Sequence, residues 1–449
     1  MYRAKGYQRV YFRFSKTPQC ERSTKVDRGW PTGATRRVPS NRKTLATISR
    51  ACHMNAMHPH FPPDEDPMPT LPTIPQGIRT PAYVLDEAKL ARNLETAARV
   101  KREAGCKVLL ATKAFAMPAA FPMMAKVLDG STASGLYEAR MGHAEFGKEV
   151  HVYAPAFTEA ELIELTTISQ HIYFNSVAQL RRFLPLVRKT PGIHVGLRVN
   201  PGFSMATLGG PLYNPCAPNS RFGATLDTLA DAPWDEIDIL HVHALCEATD
   251  KGSVGLIEHV AHELAPYVSR VNAVNFGGGH FMNKQPYDVG ALIAALKAFK
   301  ARFDVEVILE PGAGLVVDTG YLVATVLDIH NNGSPIAILD ASASCHMPDV
   351  LEVPYTPPVY GADKPGRLGH DVILAGNTCM TGDVIGSYSF AAPLQIGDRV
   401  VFGDMMQYSF VKNNTFNGQP LPDLAILSPD GAYRVIKSFG YQDFRGKLG

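Results

Sequence analysis

The sequence predicts an α/β protein, a (β/α)8 TIM-type barrel followed by a mainly β C-terminal domain. Three observations predict it. Eight short β-branched runs alternate with helical segments between residues 80 and 315. Within those helical segments the apolar residues recur three or four apart. After Gly314 the helical rhythm fades into short apolar segments separated by Gly, Pro, Asn and Asp.

The eight expected barrel strands are 108–112, 130–134, 151–155, 171–175, 194–200, 238–245, 273–279 and 306–312. Helices are expected over 87–104, 158–168, 177–187, 254–268 and 288–303. In 254–268, Val254, Ile257, Val260, Leu264 and Val268 form one stripe for burial. A doubly wound sheet is the rival arrangement, but it needs a topological switch point that the sequence does not mark. Beyond residue 315, strands are expected over 321–329, 336–340, 372–376, 399–402 and 424–426. The domain organisation is therefore an extension over 1–76, a barrel over 80–315 and a β domain over 316–449.

The chain has 449 residues, 45% of them hydrophobic, enough for a sizeable core. Its formal charge of +2 averages two unlike parts. The first 50 residues carry 13 Lys and Arg against 2 Asp and Glu, so the rest of the chain stands at −9. A mildly acidic body argues against nucleic acid as a partner. The Arg-rich, then Pro-rich tract to about Gln76 reads as a disordered or artefactual extension, with Met54 or Met57 as alternative starts. No apolar run reaches the ~18 residues of a membrane span. Seven scattered cysteines without Cys-x-x-Cys point to a reducing, cytoplasmic setting and to no zinc site.

Unusual residues cluster at the C-terminal ends of the expected strands, where barrel active sites are built. The first strand closes with Lys113, either a lysine snorkelling to the rim or one made nucleophilic by partial burial. The sixth carries His241 and His243 on one face, with His243 nearer the mouth and suited to lie flat on an aromatic cofactor. The seventh ends in Gly277, Gly278 and Gly279, which let the backbone approach a phosphate or simply make a tight turn. The eighth ends in Glu310-Pro-Gly, whose carboxylate needs a partner when buried. A protonated pyridine nitrogen would serve, and so would Arg198.

Lysine, histidine, three glycines and glutamate, in that strand order, resemble the fold-type III pyridoxal 5′-phosphate (PLP) enzymes, which have an alanine-racemase-like barrel and a β domain. Within them the chain resembles the ornithine/diaminopimelate-type decarboxylases, and specifically the carboxynorspermidine (carboxyspermidine) decarboxylase subgroup. The motifs carrying that likeness are His243-Ala-Leu-Cys246-Glu247, Ala341-Ser-Ala-Ser-Cys-His346-Met-Pro-Asp349, Gly376-Asn-Thr-Cys379-Met-Thr-Gly-Asp383, and Tyr408 with Thr415-Phe-Asn-Gly418.

The resemblance implies PLP-dependent decarboxylation of carboxynorspermidine or carboxyspermidine. It implies that Lys113 forms the Schiff base, His243 stacks on the ring, and Glu310 pairs with the ring nitrogen. Gly277, Gly278, Gly279 and Tyr408 would hold the phosphate. Cys379, as the proton donor, and Asp383 would reach a partner's barrel mouth in a homodimer, and Glu310, His346, Asp349 and Asp383 would bind substrate. Where the ornithine pattern has an arginine after Glu-Pro-Gly, this chain has Ala313, which leaves backbone amides and Arg198 for the phosphate. A racemase or a non-catalytic PLP carrier are the rivals; the first needs a second base, and the second lacks the β domain.

Overall fold

A computed structural model of the chain describes residues 74, 75, 77–205 and 214–449. Nearly all of the basic extension, with Met54 and Met57, lies outside the described residues.

Strand β1 (Ala82–Asp86) leads directly into helix α1 (Glu87–Ala104). Asp86 serves both, because its carboxylate accepts the Lys89 N–H at 3.0 Å and caps the helix. Leu90, Leu94, Ala97 and Val100 form the buried stripe of α1, and Gly105 ends it in the left-handed region at φ 62°.

Eight parallel strands then close a barrel: β2 (Lys107–Ala111), β3 (Gly130–Ala133), β4 (Glu149–Tyr153), β5 (His171–Phe174), β6 (His194–Arg198), β7 (Ile239–His241), β8 (Ala273–Asn275) and β9 (Glu306–Leu309). Lys107 and Val108 pair with Ile308 and Leu309 to complete the ring. Leu109, Tyr173, Ile239, Ala273 and Ile308 fill its interior. Each of the eight expected strands is present. Strands β7 and β8 stop sooner than their apolar runs predict, however. Gly277 and Gly279 adopt φ 69° and 88°, which an extended ladder cannot continue, so His243 and the glycines are released into the barrel mouth.

Outside the barrel lie α2 (Glu159–Ile168), α3 (Val177–Val187), α4 (Asp250–Glu263) and α5 (Val289–Phe303), close to expectation. The helix expected over 254–268 starts four residues earlier and breaks after Glu263, where Pro266 has no N–H to continue it.

The remaining strands are β10 (Gly320–Asn331), β11 (Pro335–Leu339), β12 (Ala362–Asp363), β13 (His370–Ala375), β14 (Val384–Phe390), β15 (Arg399–Gly403), β16 (Asp423–Leu427) and β17 (Tyr433–Lys437). They form a sheet ordered β12-β14-β13-β11-β10-β1-β16-β17, with β15 also on β10. The boundary at residue 80 is therefore corrected by the sheet itself, since β1 lies between β10 and β16 rather than in the barrel. Ala82, Tyr83, Val84 and Leu85 are all buried, as a central strand covered on both faces requires. Among the described residues, no helix is long and apolar enough to cross a membrane.

Candidate active site

Lys113 stands two residues past β2. Its turn is fixed by the Ala114 N–H to Ala111 O bond, and Thr112 is tied to Glu138 at 2.8 Å. The lysine keeps solvent contact in an open mouth, yet it sits deep among protein atoms. Burial, then the charge of Arg198, lowers its pKa from the ordinary 10.5. Lys113, Tyr153, Arg198, His241, His243 and Glu310 line one cavity at this end of the barrel.

Glu310 follows β9 and is buried. It does not pair with Arg198. One oxygen accepts the Asn275 amide at 2.7 Å, and the other lies 3.4 Å from His241 Nε2. Burial works upward on this carboxyl, but His241 and Asn275 outweigh it and hold it at about 2. Burial also lowers His241 against the opposing pull of Glu310, so the Asn275 amide is the firmer support. Arg198 instead donates to the His243 carbonyl at 3.0 Å and lies over the Tyr153 and Phe222 rings.

His243 accepts the Gly278 N–H on Nδ1 at 3.1 Å. Burial, then Lys113, pushes its pKa well below 6.5, so the ring is neutral with its proton on Nε2. The glycine run makes this approach possible: a Cβ on Gly278 would lie 2.6 Å from Glu310 O, and one on Gly277 would lie 2.6 Å from His243 Cβ. The three glycine amides are not equivalent. Gly277 donates to Asn275 Oδ1 at 2.8 Å and Gly278 donates to His243. The amide of Gly279 has no such side-chain acceptor among the described residues.

Tyr408 reaches this mouth from the β domain. Its N–H donates to Ala114 O at 2.8 Å, beside Lys113, and its backbone is at φ 50°. Glu247, at φ 44°, lies nearby with its pKa raised by burial and then by Asp349. Asp349 is ion-paired with Lys412.

Two residues expected to touch substrate are committed elsewhere. His346 is fully buried, with Nδ1 accepting from Ser342 N and Nε2 bonded to Pro420 O at 3.0 Å. Asp383 is buried and accepts from Ser342 Oγ, Ser344 N, Thr378 N and Thr378 Oγ1. Its lone pairs are spent on holding the loop that presents Cys379. Cys379 is exposed, its N–H bonded to Asn417 Oδ1 at 2.8 Å, and it does not line its own barrel mouth.

The residues fit PLP on their own chemistry. Both nitrogens of buried His241 lack hydrogen-bond partners, and Glu310 presents an ionised oxygen beside them, so the cavity is built to receive a hydrogen-bonding ring. A family model described as "Pyridoxal-dependent decarboxylase, C-terminal sheet domain" matches residues 51–406. The chain belongs to the pyridoxal-dependent decarboxylase family. Within that family it is 41% identical over 380 residues to a carboxynorspermidine/carboxyspermidine decarboxylase of Campylobacter jejuni, covering 82% of this chain and 98% of that one. It is 39% identical over 376 residues to a carboxyaminopropylagmatine decarboxylase of Synechocystis, covering 83% and 96%. The structure of the C. jejuni carboxynorspermidine decarboxylase complexed with norspermidine superposes with a TM-score of 0.77 at 39% identity, covering 82% of this chain and all of that one. As a family member the chain is a PLP-dependent carboxy-lyase.

Sequence reasoning missed Asn275 as the support of Glu310, and it missed Tyr153. Both follow the two-residue alternation that points side chains into the barrel. Glu247 stood in a quoted motif without a role.

Proposed function

We propose that this protein decarboxylates carboxynorspermidine and carboxyspermidine as a homodimer with shared active sites. The observation that carries the reading is the convergence of Lys113, His243 and Glu310 on one cavity. The 41% identity to a decarboxylase of that name supports the substrate class. When bound, PLP supplies the electron-withdrawing ring that accepts the electrons of the breaking C–COO⁻ bond.

The chain's residues do the rest. Lys113, with its lowered pKa, gives up its proton more readily for covalent attachment of the cofactor, and is the group to which the cofactor returns when product leaves. Glu310 stays ionised and holds a proton at the ring nitrogen. His243, its orientation fixed by Gly278, would stack on the ring. Gly279 and the Tyr408 hydroxyl hold the phosphate, and Gly277 and Gly278 contribute by letting the backbone come close. Glu247 and Asp349 at the mouth receive the cationic far end of the substrate. Cys379 of the partner subunit donates a proton at Cα. The five cysteines among the described residues are all free, which supports a reducing, cytoplasmic setting.

A second substrate has its own support in the 39% identity to a carboxyaminopropylagmatine decarboxylase, because a pair of carboxylates fits a guanidinium as well as an ammonium. Purified protein with PLP should release CO₂ from carboxynorspermidine, carboxyspermidine or carboxyaminopropylagmatine at a kcat/KM far above that for ornithine, lysine or diaminopimelate. Preference for any of the last three would overturn the assignment. The shared site is tested by mixing inactive Lys113→Ala and Cys379→Ala chains. Random pairing restores about one quarter of the sites, since each native residue is drawn from its own pool. Confirmed heterodimers without recovered activity would put Cys379 in its own subunit's site.

A further inference from the structure

A chain of hydrogen bonds runs through the barrel interior behind Glu310. Asn275 Nδ2 donates to Glu310 at 2.7 Å and also to the Tyr173 hydroxyl oxygen at 3.0 Å. The Gly277 N–H occupies Asn275 Oδ1, so the amide has one orientation only. With its oxygen accepting from Asn275, Tyr173 directs its own proton to His151 Nδ1 at 2.8 Å. His151 must then carry its proton on Nε2, which faces Glu149 at 3.2 Å. Glu149 is bound in turn by Lys107 at 2.9 Å, at the opposite end of the barrel.

Tyr173, His151 and Asn275 have no exposure to solvent. They cross a layer otherwise filled by Leu109, Ile239, Ala273 and Ile308. The fold makes room for them, since Gly196 pairs with Tyr173 across β5 and β6 and a Cβ there would run into the tyrosine ring. Three buried polar side chains in an apolar layer cost free energy unless every one is satisfied, and here each donor and acceptor along the line has its mate. The Nε2 atoms of His151 and His171 both face Glu149, at 3.2 and 3.7 Å. The two imidazoles stack at 3.7 Å with an 18° interplanar angle.

We propose that Asn275, Tyr173 and His151 are positioning residues, a hydrogen-bonded column in which Asn275 donates both ways, orienting the Glu310 carboxylate toward the cofactor's ring nitrogen and anchoring it through Tyr173 and His151 to Glu149 at the far end of the barrel. The proposal rests on Glu310 being the partner of that nitrogen. The column acts on the reaction through Glu310 and touches no substrate.

Tyr173→Phe removes one oxygen and keeps the ring that fills the layer. His151→Gln and His151→Leu are the second pair of variants: glutamine can accept from Tyr173 and donate to Glu149, while leucine can do neither. In Tyr173→Phe and His151→Leu, kcat should fall about tenfold, the worth of one buried hydrogen bond, with KM within about twofold. The visible absorption band of the bound cofactor should shift in both. His151→Gln should restore kcat and the band. In cofactor-free protein, ¹⁵N NMR should find His151 protonated on Nε2 alone, and on both tautomers in Tyr173→Phe.

Glu310→Gln is measured beside them. If it changes neither kcat nor the band, the assignment of Glu310 falls and the proposal falls with it. If it changes both while Tyr173→Phe and His151→Leu leave kcat and the band untouched, the column alone is refuted. A loss of activity in His151→Gln as large as in His151→Leu would also refute it, because packing rather than hydrogen bonding would then be the cause.

Discussion

Lys107 and Lys113 sit at opposite ends of β2, and the barrel treats them in opposite ways. Burial alone would lower Lys107, but Glu149 at 2.9 Å and Glu306 at 3.2 Å outweigh it and hold its pKa above the ordinary 10.5. Lys113 has no carboxylate within ion-pair distance among the described residues; burial and Arg198 bring it down. At one end of the barrel the charges satisfy each other. The other leaves a lysine, an imidazole and a carboxylate to be satisfied by something else, and that asymmetry is what separates a structural rim from a reactive one.

The largest effect that bears on this contrast comes from Lys113→Ala. CO₂ release should fall by about 10²–10⁴-fold, and borohydride reduction should no longer fix a pyridoxyl label on the protein. Lys107→Ala should keep both the label and the yellow colour. A label recovered from any lysine other than Lys113 would reverse the contrast.

Next in size is Gly278→Ala. Its new Cβ meets Glu310 O at 2.6 Å and His243 Cε1 at 3.2 Å. The backbone must give way at about 1–3 kcal/mol, read by denaturant unfolding, and PLP titration should show weaker binding. Unchanged PLP affinity would separate the glycine run from the cofactor.

The smallest effects have opposite signs. In cofactor-free protein at pH 7, Lys113→Met should raise Tm and Lys107→Met should lower it. The folded pKa of Lys113 is depressed, so the unfolded chain binds more protons; the resulting cost is present at neutral pH and fades as pH rises to 10.5. The folded pKa of Lys107 is raised, so its contribution is complete below 10.5 and is lost as pH rises through the higher folded value. Partial exposure keeps the Lys107 contribution to about 1 kcal/mol or less. Thermal melts of both variants from pH 7 to 11 check the signs, and a drop in Tm for both would mean that Lys113 is held like an ordinary rim lysine.

The barrel was readable because its strands are short, apolar and evenly spaced, and because its reactive residues end them. The sheet was less readable. Strand β14 carries Gly386, Ser387 and Ser389, whose small side chains hide the alternation, and its role depends on β13 and β12 lying either side of it. Lys113, His243 and Glu310 were legible as exceptions at strand ends. The inward commitments of His346 and Asp383 were not, because they depend on Pro420 and Ser342, far away in sequence. Motif spacing says where a residue sits in the chain and not which way its lone pairs point.

Strand β1 has a consequence for how the molecule assembles. Ala82 pairs with Val323 on one side and with Asp423 on the other. Its neighbours β10 and β16 are therefore both synthesised after every strand of the barrel. Contacts of such long sequence separation close slowly and late. During translation the barrel can collapse while β1, apolar on both faces, waits unpaired at its threshold. Chains that stop short of β16 should expose that edge, so nascent fragments of this protein are the species most exposed to aggregation and to chaperone capture.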